Sequence, residues 1–175
     1  MSKPILITYA TRYGSTQEVA EQVAATLREN GLEVELQPAR RVQTLDDYSA
    51  VVLGTPLYIG RWLRDARRFL TQHQEALMER PVAVFSLGPT GEGEEEGEGV
   101  CGQLDEQLAG FPWLEPVAVA LFGGRYDPTK LGLFHRMLAS LPASPLYQMP
   151  ASDVRDWERI QAWAKDLATT LEESE

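Results

Sequence analysis

The sequence predicts a three-layer α/β/α fold around a doubly wound parallel sheet of five strands. Five short apolar runs recur along the chain, and they alternate with stretches whose apolar residues have helical spacing. Several of these runs are apolar at almost every position, which is typical of strands covered by helices on both faces. The length of 175 residues fits one domain, so we expect residues 1–175 to form a single domain.

The predicted strands occupy residues 4–10, 32–36, 50–54, 81–86 and 116–122. The second run differs from the others because its apolar residues alternate with acidic ones. Alternation indicates a strand with one solvent-exposed face, so we expect this strand nearer the edge of the sheet. No internal repeat and no linker interrupts the series.

Helical spacing of apolar residues appears in four segments, at residues 19–27, 62–77, 131–141 and 157–171. The first is stopped by Asn30-Gly31, and the last can be capped at its start by Ser152 or Asp153. Strands alternating with helices favour a parallel sheet with helices on both faces.

The histidines and the cysteine give no support for a metal site. His73 is in helical phase with core positions, and His135 lies in the short apolar helix, so we expect both to be packing residues. Neither has a second ligand at metal-binding spacing. Cys101 is the single cysteine, which excludes an intramolecular disulfide.

One segment has a biased composition: residues 91–99 contain five glutamates interleaved with four glycines. Such a segment cannot bury apolar area, so we expect a flexible acidic loop. A metal-binding loop is the alternative, although the spacing lacks the alternating Asp and Asn ligands of an EF-hand.

Charge and hydropathy narrow the range of partners. Acidic residues outnumber basic ones 26 to 16, giving a net charge of −10 that disfavours binding to nucleic acid. No apolar run approaches 18 residues, and the first residues lead directly into a strand without a signal-like segment. We therefore expect a cytoplasmic protein without a transmembrane segment.

The loop after the first predicted strand has the composition of a phosphate site. It contains Thr11, Arg12, Tyr13, Gly14, Ser15 and Thr16 and leads into a helix. Helix N-termini present unpaired N–H groups and a partial positive charge, and three hydroxyls can donate to phosphate oxygens. The loop has neither a Walker ending nor a dinucleotide fingerprint, which favours a phosphomonoester. The alternative is capping alone, because Ser15 and Glu18 match a capping box.

Two further loops follow strands that should end at the same edge of the sheet. The loop after residue 54 includes Pro56, Leu57, Tyr58, Ile59, Gly60 and Trp62, and the turn after residue 86 includes Leu87, Gly88, Pro89, Thr90 and Gly91. Apolar and aromatic side chains in a loop can pack on a flat heteroaromatic ring, and glycine lets the backbone approach it. Alternatively, Tyr58 and Trp62 fill the core and the second turn is a plain turn.

Together the three loops resemble the flavodoxin-like family, whose phosphate loop follows T-x-T/S-G-x-T. Within it, the sequence is similar to the menaquinone-dependent protoporphyrinogen dehydrogenases and related flavodoxin-domain proteins. The features in common are T-R-x-G-x-T at residues 11–16, the glycines at 54 and 60 followed by Trp62, the turn at 123–126, and Asp156-Trp157. The resemblance covers essentially the whole chain.

The resemblance implies FMN as the cofactor and the loop residues above as its binding site, with no catalytic side chain required. It implies an oxidoreductase that passes electrons between a reduced substrate and a quinone. The alternative is an acidic flavodoxin-type carrier that docks on redox protein partners. The apolar segment 131–138 allows a lid beside the flavin, homo-oligomer formation or peripheral contact with the inner face of the membrane. The alternative is that it packs on the edge of the sheet. The glutamates of residues 91–99 would repel an anionic substrate.

Overall fold

The computed structural model describes residues 3–12, 14–58, 60–88, 94–123, 125–126, 152–153 and 155–174. For Tyr58 and residues 94–101, 125–126 and 152–153 it describes the backbone alone. The expected helix at 131–141 with His135, and the segment 131–138, lie outside the described residues, as do Tyr13, Ile59 and residues 89–91.

The described strands are β1 (Ile5–Tyr9), β2 (Val34–Pro38), β3 (Ala50–Tyr58), β4 (Arg61–Trp62), β5 (Val82–Gly88), β6 (Ala118–Gly123), β7 (Arg125–Tyr126) and β8 (Ser152–Asp153). The described helices are α1 (Ser15–Glu29), α2 (Arg64–Gln72), α3 (Gln74–Met78), α4 (Glu94–Ala109) and α5 (Trp157–Glu173), with a short 3₁₀ turn at Ala39–Arg41.

Five parallel strands form the main sheet in the order β2-β1-β3-β5-β6. The order reverses direction at β1, so the sheet is doubly wound, and β2 lies at its edge. The predicted fold class and the edge position of the acidic strand are therefore confirmed. The two-residue strand β4 pairs with the end of β3, and β7 pairs with β8. Sequence reasoning had not predicted these short strands.

Two apolar clusters cover the two faces of the sheet. On one face, residues of β1, β3 and β5 pack against α1 and α5, whose inward side chains include Val23 and Leu167. On the other face, Leu6, Val51 and Val84 pack against α2 and α4. Helices on both faces were expected from strands apolar at every position, and burial of all five residues of β1 agrees.

The acidic segment is helical over its described part, so the prediction of a loop there was wrong. Helix α4 begins at Glu94 and continues through the glutamates to Ala109. Glutamate is a good helix former, and carboxylates in the first turn interact favourably with the helix dipole. These two effects offset the low helix propensity of the glycines at 97 and 99.

Two helix boundaries also differ from the predictions. The single helix expected over 62–77 is divided at His73 into α2 and α3, and Trp62 precedes it in β4. His73 is 8% exposed, contacts the ring of Phe69 at 5.0 Å and is hydrogen-bonded to the backbone of Val42. Its packing role is therefore confirmed. The cap of α5 is Asp156, whose carboxylate accepts from the N–H of Arg159, instead of Ser152 or Asp153.

Candidate functional site

The carboxyl ends of β1, β3 and β5 meet at one edge of the sheet. Tyr9 is in register with Gly54, and Gly54 with Phe85. The described parts of the three loops predicted from sequence therefore start side by side. This is the edge at which open α/β sheets bind their ligands.

The ring of Phe85 in β5 packs directly against Gly54 in β3. A Cβ atom at this position would lie 2.2 Å from Cζ of Phe85, far inside van der Waals contact. The ring of Phe85 fills the space beneath Gly54 and also contacts Trp163 of α5 and Phe122 of β6. This packing holds in place the ends of the strands from which the loops extend.

The first loop is arranged so that its backbone turns sharply into α1. Oγ1 of Thr11 accepts a hydrogen bond from the N–H of Gly14 at 2.9 Å. Gly14 is the N-cap residue and has φ +90°, a left-handed conformation that favours glycine. Ser15 is the first helical residue, and no side chain caps the helix. The capping-box alternative for Ser15 is therefore wrong, which leaves its hydroxyl available.

Thr16 provides the clearest indication of a bound group. Its side chain is fully buried, and Oγ1 has no hydrogen-bond partner. A buried hydroxyl without a partner costs about 1–3 kcal/mol. A phosphate oxygen at the N-terminus of α1 would satisfy it, together with the unpaired N–H groups of the first helical turn. The donors at this loop therefore fit the phosphate of a flavin mononucleotide.

An ion pair neutralises the acidic residue closest to this loop. The carboxylate of Glu18, in the first turn of α1, accepts a hydrogen bond from the guanidinium of Arg155. The side chain of Arg155 is 4% exposed and its guanidinium carbon lies 4.7 Å from the ring centre of Trp157. The Asp156-Trp157 segment is thus tied to the phosphate loop. Because Glu18 is paired, its charge opposes an incoming phosphate less.

The second loop forms a tight hairpin instead of leading directly into a helix. Leu57 pairs with Trp62, and Gly60 has φ +72° at the turn. Trp62 is 1% exposed, and its indole N–H donates to Oγ of Ser86 at 2.9 Å. Trp62 therefore takes the core position that the sequence left open. Its burial disfavours direct contact with a ring, whereas half-buried Pro56 lies nearer the surface.

The third loop is described only at its beginning. Leu87 is 1% exposed and belongs to the core, and half-buried Gly88 ends β5. Contact of these residues with a ligand remains a prediction.

Several residues near the site were missed by sequence reasoning. Gln107 of α4 accepts a hydrogen bond from the N–H of Trp62 at 3.1 Å, and Gln103 lies against Gly60. Arg155 was missed as well. These contacts join residues distant in sequence, and nothing in the local pattern marks them, apart from the position of Arg155 directly before Asp156-Trp157.

The described part of the chain offers neither a metal centre nor a membrane-spanning helix. No group of three His, Cys, Asp or Glu side chains could hold a metal ion there. None of the helices formed by the same residues is long and apolar enough to cross a membrane.

Comparisons with known proteins agree with the fold. The family model of the flavodoxin domain matches residues 6–146, so the chain belongs to the flavodoxin domain family. The cofactor is accordingly FMN, which the hydroxyls and helix N-terminus of residues 11–16 fit.

One curated relative matches this chain over nearly its full length. Protoporphyrinogen IX dehydrogenase [quinone] of Escherichia coli is 22% identical over 173 residues, which covers 93% of each protein. Solved structures similar in fold include a short-chain flavodoxin associated with a bacterial microcompartment, with a TM-score of 0.60 and 15% identity over 99% of this chain and 98% of that one. Oxidised flavodoxin 2 from Bacillus cereus has a TM-score of 0.53 and 20% identity over 97% and 98%.

Proposed function

We propose that this protein is an FMN-dependent oxidoreductase that passes electrons from a reduced substrate to a quinone, with an activity similar to protoporphyrinogen oxidation. The observation that carries the proposal is the match to a quinone-linked dehydrogenase over 93% of both chains. The hydroxyls of the first loop support flavin binding, which is the part of this activity that depends on the described residues.

In this proposal the protein binds and orients the cofactor. Thr11, Ser15 and Thr16 donate to the phosphate, with Arg12 and Gly14 beside them and Tyr13 in the same loop. Residues 56–60 flank one side of the ring, and residues 87–91 flank its other side or polar edge. The bound flavin supplies the redox chemistry. The proposal assigns no side chain as a catalytic acid or base.

Turnover by the FMN-loaded protein tests this proposal. Under anaerobic conditions, protoporphyrinogen is supplied as donor and menadione as acceptor, and porphyrin fluorescence is followed. We expect fluorescence to rise only when quinone, flavin and protein are all present. A loaded protein that reduces no quinone with any donor, including dithionite-reduced flavin in a single turnover, would contradict the proposal.

The second candidate is an electron carrier without a small substrate of its own. The net charge of −10 favours it, because a strongly charged surface promotes docking with oppositely charged proteins. A carrier would exchange electrons rapidly with redox proteins but turn over quinone slowly. The two candidates are therefore separated by comparing these two rates on the same preparation.

A further inference from the structure

An arginine-rich surface lies beside the candidate flavin edge. Residues 61–72 contain four arginines and one acidic residue, Asp65, which gives this segment a net charge of +3 in a chain of −10. We define the arginine surface as Arg40, Arg41, Arg61, Arg64, Arg67 and Arg68. All six residues are exposed.

The arginines of α2 share the outer face of the helix. Arg64, Arg67 and Arg68 lie side by side on this open face together with Thr71 and Gln72. The apolar residues of the same helix, Ala66, Phe69 and Leu70, point into the core and are at most 2% exposed. The outer face therefore combines positive charge with hydrogen-bonding groups.

The surface extends to the edge where the flavin site is located. Arg40 and Arg41 lie in the 3₁₀ turn directly after β2, whose last residue is in register with Tyr9 of β1. This turn packs beside α2. Arg61 belongs to β4, in register with Tyr58 of the second loop. A partner held by these arginines would thus lie next to the first and second loops.

The six arginines have no ion-pair partner within the described part of the chain, although the glutamates that begin α4 lie at the same edge of the sheet. Asp65 is exposed beside the arginines. Like charges one turn apart on a helix are destabilising, so the fold gains nothing from this arrangement. Arginine is enriched in protein interfaces because its planar fork binds carboxylates in pairs of hydrogen bonds.

We propose that the arginine surface docks an acidic protein partner at the flavin edge. Charge complementarity carries this choice. A membrane is disfavoured because lipid-binding helices expose apolar side chains beside their basic ones, and α2 buries all of its own. The partner is then an electron donor or acceptor with a carboxylate-rich face. This consequence rests on the proposed function, whereas the docking itself does not.

Net charge alone would predict a basic partner, whereas the arginine surface predicts an acidic one. At about 0.1 M salt the screening length is roughly 10 Å, so a docked partner responds mainly to the charges that it faces. The overall charge of −10 is then a weaker guide than the local surface. A carrier of this composition would otherwise be expected to select basic partners.

Binding of an acidic probe protein tests the docking surface. The probe is a plant-type [2Fe–2S] ferredoxin labelled with a fluorophore, titrated with the full chain in its flavin-free and FMN-loaded forms at about 0.1 M salt. We expect the triple variant Arg64→Glu, Arg67→Glu, Arg68→Glu to weaken binding at least about tenfold, and the effect to shrink as salt is raised. The single variant Arg67→Gln should show a smaller loss in the same direction.

Two controls separate local charge from other causes. Lys165→Glu reverses an exposed charge on α5, on the opposite face of the sheet, and should change affinity less than about twofold. Replacing the three arginines by lysine keeps the charge but removes the planar fork, so it should weaken binding less than the triple glutamate variant does. Thermal unfolding of each variant checks the fold.

The proposal is overturned if the single charge reversals Arg67→Glu and Lys165→Glu, which change the net charge equally, have equal effects. It is also overturned if the unsubstituted protein does not bind ferredoxin but binds vesicles of phosphatidylcholine and phosphatidylglycerol. Binding of ferredoxin by a protein that reduces no quinone would support the docking surface and contradict only the proposed function.

Discussion

At the scale of single residues, Thr16 connects the folded chain to its cofactor most directly. We predict that Thr16→Val stabilises the flavin-free protein by about 1 kcal/mol, because it removes a buried hydroxyl without a partner. The same change should weaken FMN binding about 10- to 150-fold, as a hydrogen bond to a charged phosphate contributes about 1.5–3 kcal/mol. Urea unfolding and flavin titration measure the two effects.

Thr26 provides the matched control in the same helix. It is 1% exposed, and its hydroxyl accepts a hydrogen bond from Nε2 of Gln22 at 3.1 Å. Thr26→Val should therefore lower stability slightly and leave FMN affinity unchanged. If Thr16→Val loses stability as Thr26→Val does and binds FMN normally, the phosphate is located elsewhere.

His73 makes the stability of the protein depend on pH. Burial lowers the pKa of His73 below its usual value of 6.5, although the hydrogen bond to the backbone of Val42 opposes this shift. Below pH 6.5 the unfolded chain then binds more protons than the folded one, so stability falls as pH decreases and is fully retained above pH 6.5. We predict that His73→Gln flattens the stability curve between pH 7 and 5. Parallel curves in denaturant unfolding would contradict this.

At the scale of elements, the ring of Phe85 in β5 leaves no room for a side chain at position 54 of β3. We predict that Gly54→Ala destabilises the protein by about 1–3 kcal/mol or more, because its Cβ would overlap the ring of Phe85. Gly102→Ala in α4 is the control, since no atom lies within 4 Å of the added Cβ. It should raise stability by about 0.5–1 kcal/mol. Partial rescue of Gly54→Ala by Phe85→Leu would confirm the cause.

Glu92 and the glutamates that begin α4 are predicted to act on substrate charge, and those of α4 also on the helix. Replacing Glu92, Glu94, Glu95, Glu96 and Glu98 by glutamine should speed oxidation of anionic protoporphyrinogen and leave reduction of a neutral quinone unchanged. The difference should fade with salt. Helix stability should fall by about 0.3–1 kcal/mol for each carboxylate lost from the first turn. Unchanged rates at every salt concentration would exclude an effect on the substrate.

Most elements could be predicted from sequence because their signals are local. The apolar runs of β1, β3 and β5 reflect burial on both faces, and the helical spacing of α1 and α5 reflects burial on one. The acidic helix α4 could not, since composition suggested a loop while helix propensity and the dipole decided the structure. The break at His73 coincides with a hydrogen bond to the backbone of Val42, which is distant in sequence.

The candidate site could be predicted only where its residues are consecutive in sequence. The hydroxyls and glycine of residues 11–16 could be recognised because they are consecutive. The burial of Trp62 could not be decided, because its partners Ser86 and Gln107 come from other elements. The ion pair of Arg155 with Glu18 likewise joins residues 137 positions apart.

At the scale of the whole molecule, FMN and the fold should stabilise each other. FMN at 100 times its dissociation constant contributes about 2.7 kcal/mol, which corresponds to a rise in melting temperature of about 5–11 °C for a chain of this size. Riboflavin, which lacks the phosphate, should give a much smaller rise. FAD should also give little, because residues 11–16 suit one phosphomonoester. Equal shifts with riboflavin and FMN in a thermal melt would contradict a phosphate site.

The position of α5 in the chain has a consequence for how the protein is made. Helices α1 and α5 pack together on one face of the sheet, yet α1 ends at Glu29 and α5 begins at Trp157. During synthesis the chain emerges from its N-terminus, so β1, β3 and β5 can assemble long before α5 leaves the ribosome. Until then the apolar surface that Ile160, Leu167 and Leu171 will cover remains open to water. The nascent chain therefore exposes an aggregation-prone apolar surface until α5 appears.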